Sequence, residues 1–215
     1  MGAGHRVSER AARALPQSAF EQGLRRVSWR AARVFGSTPP TLTANPVTLR
    51  QPAEKDIPAI TVGYNDPDTI RWFSVPEKWT HETARDYVDR LVPLWWAGGV
   101  EVVFAIADDL DSYAGSIDLS VRRDDPAVGE VGYFVLPDFR RRGYAVSAVR
   151  AISRWGFEVL GPQRIQLRWA AGNDVSGQVA ARAGFATEGL MRQALMINGK
   201  RRDCWVASLL RDEVV

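Results

Sequence analysis

Cysteine is nearly absent from this sequence, with Cys204 the single thiol among 215 residues. One thiol cannot close an internal disulfide or build a thiolate cluster, so a reducing compartment, the cytoplasm, is the expected location. Histidine is almost as scarce, with only His5 and His81. A Ser-His-Asp triad or a His-rich zinc site therefore has little to start from, and no metal is expected. Long apolar runs are missing too. Nothing approaches the roughly 18–20 residues that cross a bilayer, and the first thirty residues lack the apolar stretch of a secretory signal. Lysine is rare, three against 25 arginines, which reads first as coding bias rather than as a binding device.

What is present fits an ordinary globular chain, 46% hydrophobic and 25% charged. The length suffices for one generous core or two small ones. The net charge of +3 hides an asymmetry, because residues 1–36 hold seven arginines against Glu9 and Glu21. The remainder is close to neutral, so the basic pI is weak evidence for nucleic acid. Ser18 through Glu21 forms a capping box that predicts a helix running to Phe35. Phe20, Leu24, Val27, Ala31 and Val34 share one face, while the arginines and Trp29 lie off it. Gly36 stops the helix, and Pro39-Pro40 opens a linker reaching about Pro46. The expected division is thus a basic amphipathic extension with its linker, residues 1–45, and a domain over 46–215. Such a helix suits a ribosome or an anionic surface, or an organelle presequence. The plainer reading docks its apolar face on the chain's own domain or on a partner chain.

From Val47 onward the period of the apolar residues alternates between that of strands and that of helices. Strands are expected at Val47–Arg50, Val102–Ile106, Tyr113–Val121, Gly129–Leu136 and Ile165–Trp169. Helices are expected at Glu54–Val62, after Thr80, from Ala145 to Val159, and from Asn173 to Gly184. Asn198-Gly199 predicts a closing hairpin. Asp108, Asp109, Asp111, Asp124 and Asp125 lack the spacing of a calcium loop and read as solvated turns.

The informative segment is Arg140-Arg141-Arg142-Gly143-Tyr144-Ala145, which follows a strand and opens a helix. Backbone N–H groups at a helix start are unpaired, and the helix dipole favours negative charge there. Gly143 admits a ligand close to the backbone, and the arginines add positive charge. The result is an anion cradle suited to a pyrophosphate, unless the arginines merely solvate a helix end. It is neither a Walker A loop nor a dinucleotide fingerprint, because Gly-Lys-Ser/Thr and the further glycines are missing.

After the next strand comes Asn173-x-x-Ser176-x-x-Val179-x-x-Arg182-x-Gly184-Phe185. With this second motif, in this order, the chain resembles the GNAT acetyltransferases, which bind acetyl-coenzyme A. Arg140, Gly143 and Ala145 fall on the defining positions of that family's pyrophosphate loop. Glu130-Val131-Gly132-Tyr133 is similar to the E-I-G-Y of the RimJ/RimL branch, which acetylates protein N-termini, ribosomal proteins among them. Glu188-Gly189, Arg192, Gly199, Arg202-Asp203 and Ser208-Leu209-Leu210 match the same branch. The resemblance spans about Pro46 to Glu213.

The resemblance implies an α/β GNAT fold: a mixed, mostly antiparallel central sheet, splayed between strands 4 and 5 and flanked by helices. It implies acetyl-coenzyme A as co-substrate, held by Arg140, Arg141, Arg142, Gly143, Tyr144 and Ala145. The pantetheine arm would pair with backbone near Val135 and bond to Asn173. Acyl transfer needs a neutral amine, a stabilised oxyanion and a protonated leaving thiolate. Glu130 is the candidate base, directly or through a water, and Ser176 the candidate acid. Each has a plain rival: Glu130 as an arginine-paired carboxylate, Ser176 as a polar residue of a first helical turn, Asn173 as a cap. Tyr133 and Tyr144 read as packing aromatics, and Cys204 as a small buried hydrophobe. Trp72, Trp79, Trp95 and Trp96 fall where the family builds its acceptor cleft, half of them expected in the core.

The function expected is acetyl transfer to a primary amine, foremost a protein N-terminus such as that of a ribosomal protein. The alternatives are a small-molecule amine, such as an amino sugar or polyamine, and a non-catalytic acyl-coenzyme A sensor or scaffold. A homodimer is an open form of assembly.

Overall fold

Apolar residues that alternate along short segments must share a sheet to bury one face each. The computed structural model describes residues 38–75, 77–99, 101–122 and 125–214. The helix expected at 18–35 lies outside the described residues. The chain begins with strands β1 (Leu42–Ala44) and β2 (Val47–Arg50), then helices α1 (Ile57–Asn65) and α2 (Pro67–Trp72). Helices α3 (His81–Asp86) and α4 (Val92–Ala97) follow, with strands β3 (Glu101–Ala107), β4 (Tyr113–Val121) and β5 (Val128–Val135). Then come α5 (Tyr144–Trp155), β6 (Arg164–Ala170), α6 (Asp174–Ala183), β7 (Ala186–Ile197) and β8 (Lys200–Leu210).

Among the described residues the strands make one sheet in the order β1-β2-β3-β4-β5-β6-β8-β7. Every neighbouring pair is antiparallel except β5 and β6. One face carries Phe104, Ile117, Leu119, Ile165 and Leu167 against Val149 and Ile152 of α5 and Ala180 of α6. The other carries Val103, Ala105 and Phe134 against Ile57, Ile60, Trp79 and Tyr87. Cys204 is buried, as a small hydrophobe would be. Trp79 and Trp96 are core residues, whereas Trp72 and Trp95 are half-buried.

Local chemistry explains most element ends. The Thr80 side chain accepts from the Thr83 N–H and starts α3. A π turn at Tyr87–Leu91 joins α3 to α4, just ahead of Pro93, whose missing N–H breaks the regular ladder. Asn198 and Gly199 both have positive φ, 47° and 74°, as a two-residue hairpin turn requires. Two elements were not expected. Strand β1 lies inside the predicted linker and pairs with β2, burying Ala44, so the sheet begins ahead of the expected boundary at residue 46. Helix α2 starts at Asp66-Pro67, where the Asp66 side chain accepts from the Thr69 N–H, and its six residues are too few to show a helical period in the sequence.

The feature that matters most for function is where β5 and β6 part. They pair only at Val128↔Arg164, Gly129↔Ile165 and Glu130↔Gln166. On its other edge β5 stays paired with β4 as far as Val135↔Gly115. Beyond Glu130 the sheet is therefore open between β5 and β6. With β1 left out of the count, these are the fourth and fifth strands, where the splay is expected.

Candidate active site

The cradle lies at one side of this opening. A tight turn at Pro137–Phe139 carries the chain from β5 into Arg140, Arg141 and Arg142, and α5 starts at Tyr144. Gly143 caps α5 with φ 80°, and no side chain caps the first-turn N–H groups. A Cβ built at Gly143 would meet no protein atom within 4 Å. Unpaired donors, the positive end of a twelve-residue helix and clear space in front of them fit a pyrophosphate.

The residues of the motif do not share one task. Arg140 is committed to protein: its Nε donates to the Val135 carbonyl (3.0 Å), and its terminal nitrogens donate to Asp66 (2.7 Å) and Asp68 (2.8 Å). Burial alone would raise the Asp66 pKa, but the Thr69 N–H and the Arg140 guanidinium outweigh it and lower the value. Arg140 thus ties the loop to the α1–α2 junction and takes one of the two acceptor sites on the Val135 carbonyl. Arg141 and Arg142 are exposed, the latter with its guanidinium 5.4 Å from the Phe139 ring. The Tyr144 ring is buried, packed near the same Phe139, so only its backbone faces the cradle's opening. Ala145 follows in the first turn, half-buried. Asn173 caps α6, its Oδ1 accepting from the Ser176 N–H at 3.4 Å.

Two side-chain bridges cross the opening, one on each face of the sheet. On the face packed by α1 and α3, Glu130 Oε1 accepts from Arg168 Nε (2.9 Å) and Nη2 (2.7 Å). Glu130 Oε2 accepts from Gln166 Nε2 (2.8 Å). A carboxylate offers about four lone-pair sites, so these bonds leave little beyond one place on Oε2. On the face packed by α5 and α6, the Tyr133 hydroxyl lies 3.0 Å from Ser176 Oγ. Burial raises the Tyr133 pKa to about 12, against the Ser176 hydrogen bond, which lowers it. A carboxylate and a hydroxyl pair thus lie at one break in the sheet, on its two sides. An amine can enter from one face while a thiolate leaves from the other.

The strand registers also bring up carboxylates that the sequence reading passed over. Asp118 is opposite Gly132, and Glu101 is opposite Ser120, which in turn faces Glu130. All are therefore on the Glu130 face. Burial, reinforced by Glu101 and Glu130, pushes the Asp118 carboxyl well above the ordinary range. Burial pushes Glu101 up to about 7. A Cβ at Gly132 would come within 2.9 Å of Asp118 Oδ1, so glycine makes room for that carboxylate. Asp118 falls within the expected strand Tyr113–Val121 and Glu101 just ahead of the one expected from Val102, but their alignment required the registers. Among the described residues no group of side chains suits a metal ion, and no helix is long and apolar enough to cross a membrane.

Comparison with known proteins bears on the same region. Residues 47–186 match the family of the acetyltransferase (GNAT) domain. The uncharacterized N-acetyltransferase YoaA of Bacillus subtilis is 25% identical over 179 residues, covering 80% of this chain and 97% of YoaA. RimL, a ribosomal L7/L12 alpha-N-protein acetyltransferase solved with coenzyme A, superposes with a TM-score of 0.71 at 20% identity, over 81% of this chain and 99% of its own. Spermidine N-acetyltransferase from Vibrio cholerae, solved with coenzyme A and spermine, gives 0.66 at 19% identity, over 79% and 98%. The two structures share a fold and differ in the amine they serve. The matched span takes in the opened strands, the cradle and the Asn173 helix, and with them the chain belongs to the GNAT family as an acetyl-CoA-dependent N-acetyltransferase.

Proposed function

We propose that the acceptor is a protein N-terminal α-amino group, a ribosomal protein being the leading candidate. Acetyl-CoA supplies the activated acetyl thioester. Glu130 takes the proton from the acceptor ammonium, directly or through a water, and Ser176 gives a proton to the departing sulfur. The N–H groups after Gly143, with Arg141 and Arg142, hold the pyrophosphate, while Arg140 braces the loop. Asn173 bonds the pantetheine arm. The observation that carries this reading is that Glu130 and Ser176 lie at one break in the sheet, on opposite faces.

The acidity of the acceptor favours an α-amine. The Glu130 carboxylate already accepts three N–H bonds, which leaves about one position on Oε2 to meet the amine or a water. An α-ammonium, with a pKa of about 8, gives up its proton far more readily than an alkyl ammonium near 10. The likeness to RimL agrees with this reading. A second reading, a polyamine, is favoured by Asp118 and Glu101, which add carboxylates on the same face. Turnover of acetyl-CoA, followed by free thiol release, tests both. Peptides beginning with Ala or Ser should turn over at least tenfold better in kcat/KM than spermidine or an amino sugar, and N-terminally blocked peptides should be inert. Faster turnover of spermidine would overturn the α-amine reading.

A further inference from the structure

We infer that Tyr133 is a positioning residue for the leaving-group step: its hydroxyl orients Ser176 and steadies the charge that Ser176 Oγ acquires. The inference rests on the proposed role of Ser176 and extends it to a group on another element. Tyr133 lies on β5, beyond the last residue paired with β6, and Ser176 lies in the first turn of α6. Their oxygens are 3.0 Å apart across the opening. No other side chain among the described residues bonds either hydroxyl. The contact is specific in a setting where packing alone would not require it, because the Tyr133 ring already packs against the core shared with α5.

Either hydroxyl can donate in this contact, and the phenol, the more acidic of the two, is the better donor. Burial raises its pKa to about 12, so Tyr133 keeps its proton throughout the working range. When the phenol donates into Ser176 Oγ, the serine's own hydrogen is free to point into the opening. In the transfer, the amine nitrogen–carbon bond forms and the carbon–sulfur bond breaks. Sulfur keeps the electron pair and takes the Ser176 proton. Oγ takes a proton from water in the same step, so no free alkoxide forms, and the Tyr133 hydrogen bond steadies the partial charge that develops on it. The hydroxide so formed neutralises the proton that the amine released through Glu130, and the sum is amide plus thiol. Tyr133 itself neither gains nor loses a proton. The same bond holds Ser176 in one rotamer, and misplacement of a reacting group by about 1 Å can cost roughly 10²-fold.

The test is a cycle of Tyr133→Phe, Ser176→Ala and the double variant in the full chain, using whichever amine gives turnover. Tyr133→Phe keeps the ring and removes only the hydroxyl. Each single variant should lower kcat by roughly tenfold to a hundredfold, at or below the lower end of general-acid effects. The double variant should fall no further than Ser176→Ala alone. The acetyl-CoA Kd should stay within twofold, and the Tyr133→Phe deficit should be the same factor from pH 6 to pH 10. A merely structural tyrosine would instead slow the enzyme equally with and without Ser176, so deficits that multiply overturn the inference. So does full kcat in Tyr133→Phe when Ser176→Ala is slow, and in both cases the role of Ser176 stands. Full kcat in Ser176→Ala removes the serine from the reaction, and this inference with it. A deficit that shrinks with rising pH would make Tyr133 the proton donor itself, losing its advantage as the phenol ionises, and would also overturn the positioning role.

Discussion

Across the same break in the sheet, one face is bridged by Glu130, Arg168 and Gln166 and the other by Tyr133 and Ser176. The first bridge is ionic, flanked by Asp118 and Glu101, whose carboxyls burial shifts upward. The second is neutral, and its phenol holds its proton to about pH 12. The difference separates two demands of acyl transfer. A proton must leave the amine, and an ionised carboxylate can accept it. A proton must reach the sulfur from a group that stays protonated at every working pH. Sensitivity to pH should therefore belong to one face only.

The largest expected effect comes from removing the charge on the ionic face. Glu130→Gln should lower turnover by roughly 10²- to 10⁴-fold at pH 7 and recover in part at high pH, where the free amine is abundant. A pH–rate profile checks this, and a flat deficit would erase the contrast between the faces. Gly143→Val tests the neutral side at the cradle. The left-handed backbone at φ 80° costs a β-branched residue about 1–2 kcal/mol, and the added side chain stands where the phosphates would lie. Acetyl-CoA affinity by calorimetric titration should fall about tenfold or more, independent of pH between 6 and 8.

Glu101→Gln sharpens the comparison through stability. A carboxyl whose folded pKa is raised to about 7 favours the folded state while protonated. Its benefit is complete below the ordinary value near 4.5 and is lost as pH rises through 7. The glutamine variant should therefore melt higher than the parent at pH 8 and nearly equal it at pH 4.5. Glu188→Gln should have the smallest effect. Glu188 is bound by Arg164 and by Ser208 (2.6 Å), and the Arg164 guanidinium and the Ser208 hydroxyl lower its pKa to about 2. That contribution is present above the ordinary range and is lost as pH falls through 2. As an exposed pair it is worth under about 1 kcal/mol, so Tm should fall by only a few degrees and acetyl transfer should be unchanged.

Most elements were legible because their signals are local. Thr80 and Asn173 as caps, Gly184 as a stop, Asn198-Gly199 as a turn and the alternation of Tyr113–Val121 act within a few residues of themselves. The cradle was legible for the same reason, since Gly143 and the start of α5 adjoin in the chain. Strand β1 escaped because three residues offer too little alternation to distinguish from a linker.

The sequence by itself determined the class of fold, the anion-binding helix start and the kinds of residue offered to acyl transfer. Only the tertiary structure decided their partnerships: Glu130 with Arg168, Tyr133 with Ser176, Arg140 with Asp66 and Asp68. These groups lie 38 to 74 residues apart, beyond the reach of any cap, turn or period. What brings them together is strand register and the parting of β5 from β6 after Glu130. Both depend on how two whole helical layers pack against opposite faces of the sheet.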